Sequence, residues 1–362
     1  MNSKKKSSNR LDYHSENKQE IQKNILSWYD SFGRKNLPWK NRPIYEIWIS
    51  EIMLQQTQVK TVIPFFRKFM NKFPNLEKLI SADLDDILSS WSGLGYYRRA
   101  KNIYSACRII KDKHNSKFPS SFNEIIKLPG IGRTTAAAIT TFSNNGQYTI
   151  LDANVKRLLS RLYNVTNMKN SERENVLWYI SEKLLSKSRP SDFIQAYMDL
   201  GSIICTSKRP HCDKCPLSNL CYTNIRYPGV KNNISSKKSR KLLKEEKLWS
   251  LVIIDSQNNL YLEKISIGNL WSGLYSSPIF TSKSKLLEWA KSKNLSTLFT
   301  KKFYSFQHRL SHINFTIDAF LCSVDKDKKI SLIEDNWYNL SNITIGVPKY
   351  QNKIIDKFRQ VS

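Results

Sequence analysis

From residue 21 to about residue 226 the apolar positions recur at helical spacing, and Pro64, Pro74, Pro119, Pro129 and Pro190 punctuate one helix from the next. This half of the chain is predicted to be mainly α. Beyond it the period changes: residues 248–254, 260–264 and 313–324 read as short β runs, with one helical interval around 284–292. Those runs define a smaller α+β domain over 248–354. Between the halves, residues 227–247 carry Pro228, Gly229, a Ser-Ser pair and Lys237, Lys238, Arg240, Lys241 and Lys244, the composition of a basic linker. Residues 1–20 include Lys4, Lys5 and Lys6 with no apolar segment after them, so they read as a disordered basic tail rather than a secretory signal. A chain of 362 residues is too long for one comfortable core, in keeping with two domains. No apolar stretch approaches the roughly 20 residues needed to span a bilayer.

Three places break the helical pattern in chemically suggestive ways. On a helix beginning near Ile44, residues Ile44, Ile47, Trp48, Ile52, Leu54, Val59 and Val62 form one apolar stripe, and Glu51, Gln55 and Gln58 fall inside it. A carboxyl in such surroundings is desolvated and can have its pKa raised by up to roughly 3–5 units, which makes Glu51 a candidate general acid. The plainer alternative is a buried glutamate paired with one of the many Lys or Arg side chains. Next, Gly130 and Gly132 lie between helical patterns at 122–127 and 136–142. Two glycines at this spacing permit a tight turn with bare amides at a helix start, an anion site, although a simple αα-turn would need the same residues. Finally, Asp152 precedes the helical run 154–163, the position of an N-cap, where amides would hold its carboxylate ionised. One acid pushed up and another held down is how a site separates a proton donor from a charge stabiliser.

Charge and cysteines narrow the picture. Fifty-eight Lys plus Arg against thirty Asp plus Glu leave a formal charge of +28, which favours a polyanionic partner through counterion release. A composition heavy in Asn, Ile and Ser could also inflate lysine, so charge alone does not decide for nucleic acid. Cys205, Cys212, Cys215 and Cys221 stand in a C-x6-C-x2-C-x5-C run that can close four thiolates around one metal centre. An iron-sulfur cluster and a zinc ion both suit such a loop, with the single asymmetrically flanked C-x2-C favouring the cluster. Clustered cysteines without a secretory signal point to the reducing cytoplasm.

The motifs taken together resemble the adenine DNA glycosylases of the MutY family, within the endonuclease III superfamily. The matching stretches are Leu37-Pro38-Trp39, WISEIMLQQTQV from Trp48 to Val59, Gly93-Leu94-Gly95-Tyr96-Tyr97, LPGIGRTTAAA from Leu128 to Ala138, LDANVKRLLSR from Leu151 to Arg161, residues 195–201 and the cysteine loop. The resemblance implies a helix-hairpin-helix glycosylase domain over 21–226, built as a six-helix barrel with an iron-sulfur domain. It also implies a C-terminal Nudix-like domain over 248–354 that inspects the opposite base. Leu270-Trp271-Ser272-Gly273-Leu274-Tyr275 resembles the characteristic turn of that fold, but Glu263, Glu288 and Glu334 are too scattered for its catalytic helix. Binding, not hydrolysis, is expected there.

The implied activity is base excision repair, the removal of adenine mispaired with 8-oxoguanine or guanine from duplex DNA, by a monomer at the nucleoid. Under the resemblance Glu51 protonates the purine, and Asp152 stabilises the oxocarbenium-like sugar electrostatically or by transient covalent capture. Trp39, Leu54 and Gln195 line the adenine pocket. Gln56 and Tyr96 wedge around the opposite base, with Thr57, Leu94, Ser311 and His312 completing its recognition. Gly130, Gly132, Thr134, Lys208 and Arg209 contact DNA phosphate, and the four cysteines hold a [4Fe-4S] cluster. Relatives that also cut the backbone carry a lysine where this chain has Thr134, so strand cleavage is expected to be weak or absent; a bifunctional endonuclease III-like enzyme acting on oxidised pyrimidines is the alternative. The family often has Phe-Ser-His in its recognition loop, and Leu310 replaces that aromatic residue here.

Overall fold

The computed structural model describes residues 17–165, 168–227, 243–266, 270–295, 299–324 and 332–360. Residues 1–16 of the expected tail over 1–20 and residues 228–242 of the expected linker over 227–247 lie outside the described residues; Lys18–Glu20 are helical and Lys244–Lys247 belong to a strand instead. The chain divides into two compact units, Met1–Ile80 with Ser105–Lys238, and Ser81–Tyr104 with Ser239–Ser362. The second unit thus takes in a segment, 81–104, from within the helical half of the sequence. No described helix is long and apolar enough to cross a membrane.

The first unit is helical. Its opening helices are α1 (Lys18–Phe32), α2 (Ile44–Leu54), α3 (Val59–Lys72) and α4 (Leu76–Ile80). Helix α5 (Leu84–Ser90) belongs to the second unit, and α6 (Arg98–Lys113) starts there and ends in the first. The first unit continues with α7 (Phe122–Ile125), α8 (Arg133–Asn144), α9 (Ala153–Tyr163), α10 (Asn170–Leu184), α11 (Pro190–Asp199) and the short α12 (Tyr222–Arg226). Ile21, Ile25, Trp28 and Tyr29 give α1 an apolar stripe that packs into one core with Val155, Leu158, Leu159 and Leu162 of α9 and Phe193, Ile194 and Tyr197 of α11. Helix α2 packs on α8.

The single apolar stripe expected from Ile44 to Val62 is carried by two helices. The chain leaves helical geometry at Gln55 and re-enters at Val59, with Gln56 in the left-handed region at φ 57°. The helix expected at 122–127 stops at Ile125, and the one expected at 136–142 runs from Arg133 to Asn144.

At the end of α11, Asp199 is fully buried and gathers four donated hydrogen bonds. They come from the backbone N–H of Arg34 at 2.7 Å, its Nε at 2.8 Å, its Nη2 at 2.6 Å and Gln195 Nε2 at 2.8 Å. This fork fixes the segment after α1 against α11.

The second unit is α+β. Its main sheet runs β6 (Phe299–Arg309), β7 (Ile313–Val324), β1 (Lys244–Asp255), β2 (Asn259–Tyr261), β8 (Trp337–Asn339), with β5 (Ile279–Phe280) also on β1. Strands β1 and β7 are parallel, and β6 and β7 form an antiparallel hairpin. Two further strands, β3 (Glu263–Lys264) and β4 (Tyr275–Ser276), pair apart from it. Alternation along β1 sends Leu248, Val252 and Ile254 into one core with Tyr350, Ile354 and Ile355 of α14 (Lys349–Arg359). Leu251 and Ile253 enter the other, with Leu286 and Ala290 of α13 (Lys283–Ser292). The sheet is therefore covered on both faces. Strands β6 and β8 and helix α14 add to the elements expected from the sequence.

Asp199→Ala should lower the unfolding free energy by about 3 kcal/mol, because Arg34 and Gln195 lose their shared buried acceptor. Urea unfolding followed by far-UV circular dichroism measures it; an unchanged midpoint contradicts the role given to this fork.

Candidate active site

Glu51 sits on the last turn of α2, half-buried beside Ile52 and Met53, which are fully enclosed. Burial of its carboxyl pushes its pKa up to about 8, and the charge of nearby Asp152 adds a smaller upward push. Asp152 is therefore close enough to Glu51 for the two carboxyls to sense each other. It caps α9: Oδ1 accepts from the Val155 N–H at 2.8 Å, and Oδ2 accepts from Asn154 Nδ2 at 3.0 Å. The N-terminal end of a helix is where a negative charge is best placed.

Behind Asp152 the support is continuous. Asn154 Oδ1 accepts from Arg157 Nη2 at 2.9 Å, and Arg157 donates through Nε to the Cys205 carbonyl at 2.8 Å and through Nη2 to that of Gly201. A side chain at Gly201 would meet Asn154 Cβ at 2.7 Å, so glycine is what allows the backbone after α11 to lie against the start of α9. Buried Arg161 continues the ladder, donating to Cys205 Sγ at 3.2 Å, the Thr206 carbonyl at 2.7 Å and the Ser207 carbonyl at 3.1 Å. Asn154, Arg157 and Arg161 were not singled out as site residues in the sequence. Their signal is the spacing from Asp152 along α9, at two, five and nine residues, which keeps bringing a polar side chain back toward the cysteine loop.

The expected anion site is a tight turn. Gly130 takes φ 79°, and Gly132 caps α8 with no side chain and with nothing within 4 Å of where a Cβ would stand. Gln55 Nε2 reaches the Gly130 carbonyl at 3.1 Å and Thr135 Oγ1 at 3.4 Å, tying the break after α2 to this turn. Thr134 stands half-buried in the first turn of α8. Lys208 and Arg209 are exposed on the loop after Cys205.

Trp39 and Gln195 line one small cavity of about 20 Å³ with Tyr29, Lys40, Ile47 and Asp192, and neither Leu54 nor Glu51 is among its lining residues. Such a space holds about one water and no purine. Cys205, Cys212, Cys215 and Cys221 all line a separate cavity of about 190 Å³. Cys212 is exposed, Cys215 and Cys221 are half-buried and Cys205 is buried. Among the described residues, no three His, Cys, Asp or Glu side chains draw together closely enough to grip a single metal ion.

The residues expected to read the opposite base divide between the units. Exposed Gln56 and half-buried Thr57 follow α2 in the first. In the second, Leu94 is buried, Tyr96 is exposed at φ 51°, and Ser311 and His312 are exposed at the tip of the β6–β7 hairpin, with Ser311 Oγ 3.1 Å from His312 Nδ1. Leu310 packs against the apolar core of that unit, so the residue replacing the usual aromatic is a packing residue here.

A bare-amide hairpin turn beside two neighbouring carboxyls is the arrangement of a helix-hairpin-helix DNA glycosylase, and comparisons agree. Residues 49–183 match the family described as HhH-GPD superfamily base excision DNA repair protein. The adenine DNA glycosylase of Buchnera aphidicola subsp. Schizaphis graminum is 42% identical over 341 residues, covering 92% of this chain and 97% of that one. The Homo sapiens adenine DNA glycosylase is 36% identical over 213 residues, 56% of this chain and 39% of that protein. Among solved structures, a thermostable thymine-DNA glycosylase superposes with a TM-score of 0.54 at 26% identity, covering 58% of this chain and 98% of its own. The chain belongs to the adenine DNA glycosylase family.

The raised pKa of Glu51 has a stability consequence. Between its ordinary value of 4.5 and about 8 the unfolded chain ionises this carboxyl while the folded one keeps its proton, so stability falls as pH rises through that window and then levels off. Glu51→Gln should therefore be more stable than the parent by up to about 5 kcal/mol above pH 8, with the difference vanishing near pH 4. Thermal unfolding at the two pH values checks this, and equal stabilities throughout would show that the carboxyl is not desolvated.

Proposed function

We propose that the chain hydrolyses the N-glycosidic bond of adenine mispaired with 8-oxoguanine or guanine in duplex DNA. The observation that carries the reading is Glu51 held protonated near neutral pH beside Asp152, whose oxygens are fixed by the N-terminus of α9. An adenine inside the stack is out of reach, so it is flipped out at a cost of a few kcal/mol, which a mispair lowers. Glu51 donates its proton to N7 of the extruded purine, making the base a better leaving group. Asp152 stabilises the positive charge that develops on the sugar as the bond breaks, electrostatically or by transient covalent capture. A water then completes hydrolysis, with Glu51 available as base once it has given up its proton. Trp39, Leu54 and Gln195 are assigned to the adenine pocket; the small cavity shared by Trp39 and Gln195 must widen and extend to Leu54 and Glu51 to admit the base.

Phosphates on the DNA are held by the open amides after Gly130 and Gly132, by Thr134, and by Lys208 and Arg209. Gln56, Thr57, Leu94, Tyr96, Ser311 and His312 read the base opposite adenine. With a threonine at 134 there is no amine to form a Schiff base with the sugar, so the enzyme is monofunctional. Working as a monomer at the nucleoid, it uses the α+β domain to bind and not to hydrolyse.

The four cysteines suit a [4Fe-4S] cluster. Their side chains line one cavity of about 190 Å³, and Arg161 Nη1 donates to Cys205 Sγ at 3.2 Å. When bound, the cluster supplies structure rather than a reaction step, by holding the loop that carries Lys208 and Arg209. Burial otherwise pushes the Cys215 thiol up to about 12, a state that ligation would reverse.

Free adenine should be released from duplexes with adenine opposite 8-oxoguanine or guanine and not from those with adenine opposite thymine. Glu51→Gln should lower single-turnover release by about 10²–10⁴-fold. The parent rate should decline as pH rises past about 8, where Glu51 loses its proton. Release by Glu51→Gln at the parent rate, or a borohydride-trapped adduct, would sink this mechanism. The purified protein should also be brown and contain about four iron and four sulfide per chain, and Cys215→Ser should lose both; zinc in place of iron would contradict the assignment.

A further inference from the structure

We infer that Tyr97 is the residue that positions the opposite-base reader, by fastening the turn that carries Leu94 and Tyr96 onto the α+β domain. The inference rests on the reading that Leu94 and Tyr96 contact the base facing adenine.

Residues 81–104 group with 239–362 rather than with the helical chain on either side of them. The attachments are specific. Lys264 Nζ reaches both oxygens of Asp85, at 2.8 and 2.7 Å, and Tyr275 Oη donates to Asp85 Oδ2 at 3.2 Å. Ser89 Oγ donates to the Thr344 carbonyl, and Lys101 Nζ donates to Ser272 Oγ at 3.2 Å. At Gly346 the two stretches of backbone touch, since a Cβ there would stand 2.9 Å from the Leu88 carbonyl carbon and 3.1 Å from the Ser89 nitrogen.

The turn itself is strained. Gly93 and Gly95 take φ 94° and 81°, and Tyr96, with a bulky side chain, takes φ 51° and is 49% exposed. Such a conformation persists only where its surroundings over-determine it. On the inner side, the Gly95 carbonyl accepts from Trp91 Nε1 and Arg99 Nη2, each at 3.1 Å, and the Arg99 guanidinium lies 5.4 Å from both the Trp91 and Tyr96 rings. On the outer side, two hydroxyls, those of Tyr97 and Ser92, join the turn to the domain at one carbonyl. Tyr97 Oη accepts from the Gly93 N–H at 3.2 Å and donates to the Val347 carbonyl at 3.1 Å, which also accepts from Ser92 Oγ at 3.0 Å. Tyr97 acts through the turn: without its hydroxyl, the N–H that opens the turn loses its partner and one of the two hydroxyl links to Val347 is lost.

The test is single-turnover adenine release by the full chain from duplexes with adenine opposite 8-oxoguanine or opposite guanine. It compares the parent, Tyr97→Phe, Gly346→Ala, Tyr96→Ala and the Tyr96→Ala/Tyr97→Phe double variant, each first checked by thermal melting. Tyr97→Phe should lower the ratio of the 8-oxoguanine rate to the guanine rate by about tenfold. Gly346→Ala, which presses on the same contact from the domain side, should lower it in the same direction. In the Tyr96→Ala background, Tyr97→Phe should add nothing to the loss. A merely structural role would lower both rates together and leave the ratio alone. If Tyr96→Ala lowers the ratio while Tyr97→Phe and Gly346→Ala do not, the positioning role is overturned and the reading of Tyr96 stands. If Tyr96→Ala leaves the ratio unchanged, the underlying reading falls and takes the inference with it.

Discussion

A carboxyl kept neutral by burial, close to a second carboxyl held at a helix N-terminus, is the constraint on which the rest of this protein depends. Two acids in one neighbourhood oppose each other's ionisation, and the site uses that opposition rather than relieving it. The burial of Glu51 costs stability at neutral pH, so the fold must hold the group in place through α2 and its packing on α8. Asp152 is fixed by hydrogen bonds of 2.8 and 3.0 Å from α9.

That fixity extends well beyond the two acids. Asp152 leans on Asn154, Asn154 on Arg157, and Arg157 on the carbonyls of Gly201 and Cys205, so the position of one carboxylate is referred to the loop that carries the four cysteines. Arg161 sits at the centre of that loop and gives its hydrogens to three successive residues of it. A group bound by the cysteines would act on the chemistry through geometry, by keeping the carbonyls that Arg157 grips where they are. The fork between Arg34 and Asp199 does a similar service for Gln195, whose amide is held by the same buried carboxylate.

Much of this was legible before any coordinates. Asp152 as an N-cap follows from its place before an apolar helical run, and Glu51 stands out because it interrupts an apolar stripe. The interruption after α2 was not legible, because Val59 and Val62 continue the period of the preceding helix by chance of spacing while the backbone reverses its hand at Gln56. Strand β6 was missed because its pattern is confused by bulges and by Lys301 and Lys302 in its early part. Helix α14 was missed because Tyr350, Ile354 and Ile355 are diluted by Lys349, Lys353 and Lys357. Nothing local marks residues 81–104 as belonging with the C-terminal strands. Those attachments span 171 to 255 residues of sequence, through single hydroxyls and carbonyls with no periodic signature.

The cavity beside Trp39 and Gln195 adds the last step. At about 20 Å³ it cannot accept a purine as it stands, so under the proposed assignment an extruded adenine would have to displace side chains around Tyr29, Lys40 and Asp192, which are joined by a 2.8 Å hydrogen bond and a 3.5 Å ion pair. Opening it draws on binding energy, and so does extruding the base. Both demands are smallest in effect when the opposite base is gripped firmly, because contacts made to that base can be spent on extruding its partner. Selectivity for a mispair then does not have to be built into the adenine pocket, which meets the same base whatever it was paired with. It can reside in residues that never touch adenine.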